Sequence, residues 1–274
     1  MTSPLVLIAI PTFNRSHTII STIKSICEQT YKNWELVVLD NCSNDKTEQL
    51  IRKNFSNEKR INYIYYKDHV PLHINWKRAY EFINPKKYKY FKYLCSDDIL
   101  KKNFLEKAVH ALEKTNPNIF AYTSNIVYLK NDMITKNRRY GFFKYEKIAS
   151  LYLKNYLGCP SAMLLKTKDM IFFDENPFFI YAGDIYESLN YYVQKRKIIF
   201  SNDYLVCFQL SEHDSETNRM FGTHTMIHDK KKMRDTMLPK FYTGLRLKIA
   251  FFFSSLFYYL EKVFFWLYKI LNKN

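Results

Sequence analysis

Three short apolar runs, each closing on a cluster of polar residues, organise the first hundred positions. Residues 5–10 lead into Pro11-Thr12-Phe13-Asn14-Arg15. Residues 36–39 lead into Asp40-Asn41-Cys42-Ser43-Asn44-Asp45-Lys46-Thr47, and residues 90–95 into Ser96-Asp97-Asp98. Apolar runs this short, bounded by turn-forming residues, read as buried strands. Between them the spacing lengthens to the helical period. Residues 18–28 place Ile19, Ile20, Ile23, Ile26 and Cys27 on one face, with Ser16 as the candidate cap. Residues 47–54, 75–83 and 103–114 read as further helices and 61–66 as another strand. This alternation predicts right-handed crossovers and a largely parallel sheet. In such sheets ligands bind outside the carboxyl ends of the strands, where the three polar clusters fall.

The second half has a different rhythm. Residues 119–124, 126–129, 133–135, 161–165 and 204–210 read as strands, with Asn131-Asp132 as a turn and 184–194 as a helix. No internal repeat or Gly/Ser linker separates the halves, so they are expected to share one continuous sheet. From Gly244 the pattern changes again. Residues 249–260 carry no charge, Glu261 and Lys262 interrupt, and the apolar character resumes over 263–271 apart from Lys269. A spanning helix needs about 20 predominantly apolar residues, and a charge at mid-bilayer is costly. Aromatic faces flanked by Lys and Arg instead fit a helix lying in the membrane interface, drawn to anionic lipid. Packing on the chain's own domain or on a second copy is the alternative for the same pattern.

Length and charge sharpen this reading. At 274 residues the chain accommodates one large α/β domain with an appendage. The expected division is a domain over 1–240, with halves 1–115 and 116–240, and a helical tail over 241–274. The formal net charge is +16, which suits phosphate-bearing partners or solvated lysine-rich faces. Five cysteines without C-x-x-C spacing argue against a disulfide framework and against a zinc site. The N-terminus carries no secretory pattern, so a reducing cytosolic setting is expected. Abundant Tyr and Phe together with the basic charge raise nucleic-acid binding as a distant alternative. No RNP-like, helix-turn-helix or zinc motif supports it, and acidic strand ends would repel a phosphate backbone.

The adjacent carboxylates of Asp97 and Asp98 carry the most chemistry. They repel each other, and a site that keeps them together is expected to offer a cation to neutralise them. With the segments Ala9-Ile10-Pro11-Thr12-Phe13-Asn14-Arg15, Val38-Leu39-Asp40-Asn41-Cys42-Ser43-Asn44-Asp45-Lys46-Thr47, Asn75-Trp76 and Leu94-Cys95-Ser96-Asp97-Asp98-Ile99-Leu100 in this order, residues 4–215 resemble the family 2 glycosyltransferases. These are inverting enzymes with a GT-A type nucleotide-sugar-binding fold.

The resemblance implies roles for particular residues. Pro11, Thr12, Phe13, Asn14, Arg15, Asp40, Asn41 and Asp97 would line the nucleotide site. Within that set the Asp40 carboxylate accepts a base N–H, Phe13 covers the base face, and Asp97 contacts the ribose region. Asp98 would bind Mg²⁺ or Mn²⁺, whose oxygen-rich coordination bridges a diphosphate. His213 is either a further ligand to metal or diphosphate or a solvated loop histidine. Asp184 matches the catalytic base, with Glu187, one helical turn on, as the alternative; a plain helix cap is the other reading of Asp184. Lys77 or Arg78, and the segment Asn137-Arg138-Arg139-Tyr140, are candidate phosphate contacts, as are Arg219 and 230–232. Three departures from the family pattern stand out: Asn41 replaces a second acidic residue, Cys42 a glycine, and Gly183 the usual Glu before the base.

The implied activity is transfer of a sugar from a nucleotide-sugar donor to a saccharide or lipid-linked acceptor in surface polysaccharide or lipopolysaccharide assembly. The expected location is cytoplasmic, peripheral to the inner membrane face, with the tail on the anionic surface and no nucleic-acid partner. A soluble transferase acting on protein or free glycan, its tail an oligomer contact, is the alternative.

Overall fold

The computed structural model describes residues 3–130, 133–138, 159–170, 197–209 and 223–271. The first four of these ranges belong to one compact unit and the last to a second.

The first unit is built on β1 (Val6–Thr12), whose every residue is buried, as expected of an apolar strand covered on both faces. It pairs in parallel with β2 (Trp34–Asp40), from Val6 opposite Trp34 to Thr12 opposite Asp40. Parallel pairs also join β2 to β3 (Ile61–Tyr65) and β1 to β4 (Tyr90–Tyr93). Helices α1 (Ile19–Cys27), α2 (Thr47–Phe55), α3 (Leu72–Lys77) and α4 (Phe104–Glu113) lie between strands in chain order. Ile19, Ile23 and Ile26 of α1 and Leu105, Ala108, Val109 and Leu112 of α4 are buried in one core with Val6, Ile8 and Ile10 of β1. Each of the Ile, Leu and Val side chains among them stabilises the fold by about 1.5–3 kcal/mol.

The remaining strands are β5 (Asp98–Leu100), β6 (Ile119–Lys130), β7 (Met133–Arg138), β8 (Met163–Lys166) and β9 (Lys197–Gln209). Among the described residues, nine strands form a single sheet in the order β3-β2-β1-β4-β8-β6-β9-β5, with β7 on β6. β6 and β9 run parallel, while β8, β5 and β7 pair antiparallel. The two halves of the chain therefore share one sheet, as the absence of a linker predicts.

Several local expectations are corrected. The cap position of α1 is Thr18, not Ser16; the Ser16 amide instead donates to Asp45 Oδ2 at 3.0 Å. The helix expected over 75–83 starts earlier, as α3, and tightens into a 3₁₀ turn over Arg78–Phe82. The two strands expected over 119–129 are one, because register shifts absorb the polar stretch Thr123-Ser124-Asn125 and Asn125 Nδ2 donates to Asn202 O at 3.0 Å. The acidic pair follows the strand expected over 90–95, and Asp98 goes on to open β5, a short strand that the sequence pattern did not suggest. Asn131-Asp132 and the expected helix 184–194 lie outside the described residues.

The second unit contains α5 (His224–Phe241), which the sequence pattern did not suggest, and α6 (Gly244–Leu271). Thr223 Oγ1 caps α5 by accepting from the Met226 amide at 3.2 Å. Gly244 at φ +58° starts α6 in a conformation that a side chain would strain. The 28 residues of α6 extend about 42 Å at 1.5 Å per residue. Glu261, which interrupts the apolar pattern, pairs with Arg234 at 3.5 Å and Lys230 at 3.6 Å on α5. Ser254 donates to Asp235 at 2.6 Å. Leu245, Ile249, Phe252, Leu256, Val263 and Leu267 fall on the opposite side of the 3.6-residue period and are exposed. No helix among the described residues is long and apolar enough to cross a membrane.

Candidate nucleotide and metal site

The carboxyl ends of β1, β2 and β4 carry the site. After β1 the chain turns through Asn14 at φ 50°, and after β2 through Cys42 at φ 67°. Both turns are in the left-handed region, where Asn is tolerated and most other side chains are not. Cys42 occupies it where the family pattern has glycine. The two turns are stitched together. The amide of Asn14 donates to Ser43 Oγ at 2.8 Å, Asn44 N–H to Asn14 Oδ1 at 3.0 Å, and Arg15 N–H to Thr47 Oγ1 at 2.9 Å. Asp45 receives the amides of Ser16 and Thr47. Burial pushes its carboxyl up, but these hydrogen bonds outweigh burial and hold it below the ordinary aspartate value.

Asp40 is fully buried at the end of β2. Its Oδ1 accepts from Ser43 N–H at 2.8 Å and its Oδ2 from Tyr63 Oη at 2.6 Å. Burial, then the Asp40 contact, pushes the Tyr63 phenol up, so that it remains a donor. Thr12 lies directly across the strand pair from Asp40, and its buried Oγ1 has no hydrogen-bond partner among the described residues. A buried orphan hydroxyl is costly unless a ligand satisfies it. Next along, the Phe13 ring is partly exposed and packs edge-on against His69 with centroids 4.5 Å apart.

Asn41, where the resemblance implies an acidic residue, holds a loop. Its Oδ1 accepts from Val70 N–H at 3.0 Å and Arg78 at 3.1 Å, and its Nδ2 donates to Val70 O at 2.7 Å. Arg78, a candidate phosphate contact, is engaged by Asn41, by Asn75 at 3.1 Å, and by the face of Tyr66 at 3.7 Å. Trp76 is half-buried against Tyr93 at 4.7 Å.

The acidic segment leaves β4 in a turn closed by Asp98 N–H to Cys95 O at 3.1 Å. Thr18, at the cap of α1, and Thr22 within it both donate to Ser96 O, at 2.9 and 3.1 Å, and Cys95 N–H donates to Ser161 Oγ at 3.0 Å. The turn is thus held from two sides. Cys95, Asp97 and Asp98 offer ligand atoms that all lie within 4.8 Å of one another, and they form the one group of three or more potential ligands among the described residues. Burial raises Asp97, with the positive charges of Arg15 and His17 pulling against it. Burial and then the Asp97 charge push Asp98 well above the usual carboxylate range, opposed by hydrogen bonds from Ser161 and Cys95 and by Lys92. A cation would relieve both effects, so the donor set and its electrostatics fit a divalent ion.

Lys92 is the residue that sequence reasoning missed. It is fully buried in β4. Its ammonium donates to Ser161 O and to Met163 O, the latter at 3.2 Å, and sits 3.9 Å from the Phe104 ring centroid. The available signal was a charge inside the apolar run Tyr90-Phe91-Lys92-Tyr93. Asp184, Glu187 and His213 lie outside the described residues, as do Arg139, Tyr140 and Arg219. The backbones of Asn137 and Arg138 end β7.

A doubly wound nucleotide-binding sheet with paired carboxylates beside the strand ends is the class these features define. The model of glycosyl transferase family 2 matches residues 7–172, and the chain belongs to this family. It is 30% identical over 104 residues to the putative teichuronic acid biosynthesis glycosyltransferase TuaG of Bacillus subtilis, covering 38% of this chain and 40% of that protein. Over 222 residues it is 28% identical to the UDP-Glc:alpha-D-GlcNAc-diphosphoundecaprenol beta-1,3-glucosyltransferase WfgD of Escherichia coli, covering 78% and 81%. Similarity to the glycosyltransferase MJ1057 of Methanocaldococcus jannaschii covers 58% of that protein, so the chain spans less than two thirds of several relatives. The fold is similar to that of S. aureus TarS with UDP-GlcNAc, at TM-score 0.67 and 14% identity, over 90% of this chain and 70% of that one. It is also similar to that of the mannosyltransferase PcManGT of Pyrobaculum calidifontis with GDP-Man and Mn²⁺. There the TM-score is 0.63 at 13% identity, over 96% and 72%.

Proposed function

We propose that the chain is a metal-dependent inverting glycosyltransferase, moving a sugar from a nucleoside diphosphate sugar to a saccharide or lipid-linked acceptor in surface polysaccharide assembly. The observation that carries this reading is the meeting of the Thr12–Asp40 pair and the Cys95, Asp97, Asp98 cluster at neighbouring strand ends. Asp40 and the orphan Thr12 hydroxyl read the nucleoside, Phe13 covers the base, and the turns carrying Asn14, Arg15 and Asn41 frame the pocket. Asp97 serves the ribose or the metal shell, while Asp98, with His213 as a further candidate, holds Mg²⁺ or Mn²⁺. The ion's Lewis acidity neutralises charge on the departing diphosphate. Asp184 takes the proton of the acceptor hydroxyl as the anomeric carbon is attacked from the opposite side, with Glu187 as the alternative base.

The domain over 1–240 does this work, and the tail over 241–274 places it at the inner membrane face. The exposed stripe of α6 supports that placement, because Arg246, Lys248 and Lys262 accompany it and suit an anionic lipid surface. The acceptor of WfgD, a diphosphoundecaprenol-linked sugar, is the kind of substrate such a surface presents.

Isothermal titration against UDP, GDP, CDP and dTDP, each with and without Mn²⁺, tests the central reading. One nucleotide is expected to bind in a metal-dependent way, and binding is expected to vanish in Asp98→Asn. No binding of any nucleotide would refute the donor site.

A further inference from the structure

The role assignments above use two carboxylates of the acidic turn; the third donor atom, Cys95 Sγ, hydrogen-bonds Asp98 and has been given no part in holding the ion. That sulfur and the carboxylate oxygens of Asp97 and Asp98 all lie within 4.8 Å of one another. With metal–sulfur near 2.3 Å and metal–oxygen near 2.1 Å, three donors spread around one ion stand roughly 3 to 4 Å apart. Side-chain adjustments of about 1–2 Å at most therefore bring the three donors onto a single ion.

The backbone is set for this. The Cys95 carbonyl accepts the Asp98 amide at 3.1 Å, which folds residues 95 and 98 towards each other. The Cys95 amide is tied to Ser161 Oγ at 3.0 Å, and Ser96 is fixed by Thr18 and Thr22. A thiol carried on so braced a turn is a defined ligand and not a loose neighbour. None of the other cysteines, Cys27, Cys42, Cys159 and Cys207, belongs to a cluster of three or more potential ligands among the described residues.

The geometry points to Cys95 as the third protein ligand of the divalent cation held by Asp97 and Asp98, giving a mixed sulfur–oxygen set that prefers thiophilic ions. This rests on the proposed metal site. On binding, the Cys95 S–H bond breaks as the sulfur–metal bond forms, the proton passes to solvent, and no electron is transferred. Carboxylate oxygens alone suit Mg²⁺ and Mn²⁺, whereas a thiolate raises affinity for Zn²⁺, Co²⁺ and Cd²⁺. The site then accepts Mn²⁺ but is captured by zinc-like ions at lower concentration.

The test uses the full chain stripped of metal. Titration with Cd²⁺ or Co²⁺ is expected to raise a thiolate-to-metal charge-transfer band that saturates at one ion per chain. In Cys95→Ser and Cys95→Ala, checked for folding by circular dichroism, the band should be lost. The Cd²⁺-to-Mg²⁺ affinity ratio should fall by at least about tenfold, the smaller end of what even an outer-shell partner contributes. Mn²⁺ binding, followed by the electron paramagnetic resonance of free Mn²⁺, should survive. A band that persists in both Cys95 variants, or that survives in Asp98→Asn, overturns the Cys95 assignment while Mn²⁺ binding leaves the metal site standing. Failure of the native chain to bind Mn²⁺, with UDP or GDP present or absent, overturns the metal site and this inference together.

Discussion

Tyr63 Oη donates to Asp40 Oδ2 at 2.6 Å while the Ser43 amide holds Oδ1 at 2.8 Å. Each oxygen of the buried carboxylate thus keeps one lone pair to offer, in a direction set by the protein before any ligand arrives. Tyr63→Phe removes one brace and leaves the carboxylate under-satisfied. A stability loss of about 1–3 kcal/mol is expected, together with weaker binding of nucleoside diphosphate. Urea unfolding and calorimetry measure the two effects. Unchanged values in both would mean that water replaces the phenol without loss.

Asp98→Asn and Asp184→Asn should separate two functions. The first removes metal-dependent nucleotide binding. The second preserves binding and abolishes transfer, read as release of nucleoside diphosphate from a donor sugar in the presence of acceptor. Full transfer by Asp184→Asn would remove it from the role of base, and attention would pass to Glu187.

Lys92 makes the acidic site pH-sensitive. Burial pushes its ammonium down to about 7, so the folded chain binds fewer protons there than the unfolded chain from about pH 7 up to the ordinary lysine value near 10.4. Its contribution to stability therefore rises with pH across that window, with a slope of at most about 1.4 kcal/mol per pH unit. In metal-free protein the stability difference between wild type and Lys92→Met should grow in favour of wild type from pH 7 to pH 9.5. A difference that stays constant would show that Lys92 keeps its proton throughout.

Phe252 and Leu256 are exposed on α6, so replacing both with Asp leaves packing against α5 intact. Each large apolar side chain contributes about 1.5–3 kcal/mol when buried. The double variant should lose at least roughly a hundredfold in binding to vesicles containing phosphatidylglycerol, measured by co-sedimentation, with nucleotide binding unchanged. Equal sedimentation of both proteins would remove the membrane role and favour a contact between copies.

Much of the framework was legible because its signals are local. β1, β2 and β4 are apolar runs long enough to stand out, and the carboxylates at their ends are unusual neighbours whatever the fold. Features set by distant partners were not legible. β5 has three residues and exists through pairing with β9. Asn125 reads as a strand breaker until Asn202 supplies its partner. α5 has weak periodicity and a proline, Pro239, in its last turn. Lys92 reads as misplaced until Ser161 and Met163, some seventy positions away, provide its acceptors.

Asp98 stands opposite Phe208 in the β5–β9 ladder, so the two halves of this domain are not interchangeable modules. A chimera that imported 116–209 from a relative, hoping to alter acceptor choice alone, would also replace the strand that fixes the backbone of the cation-binding carboxylate. Donor handling would change along with it. Hybrids of this fold are therefore expected to succeed when β5 and β9 travel together, and to lose donor binding when the cut falls between them.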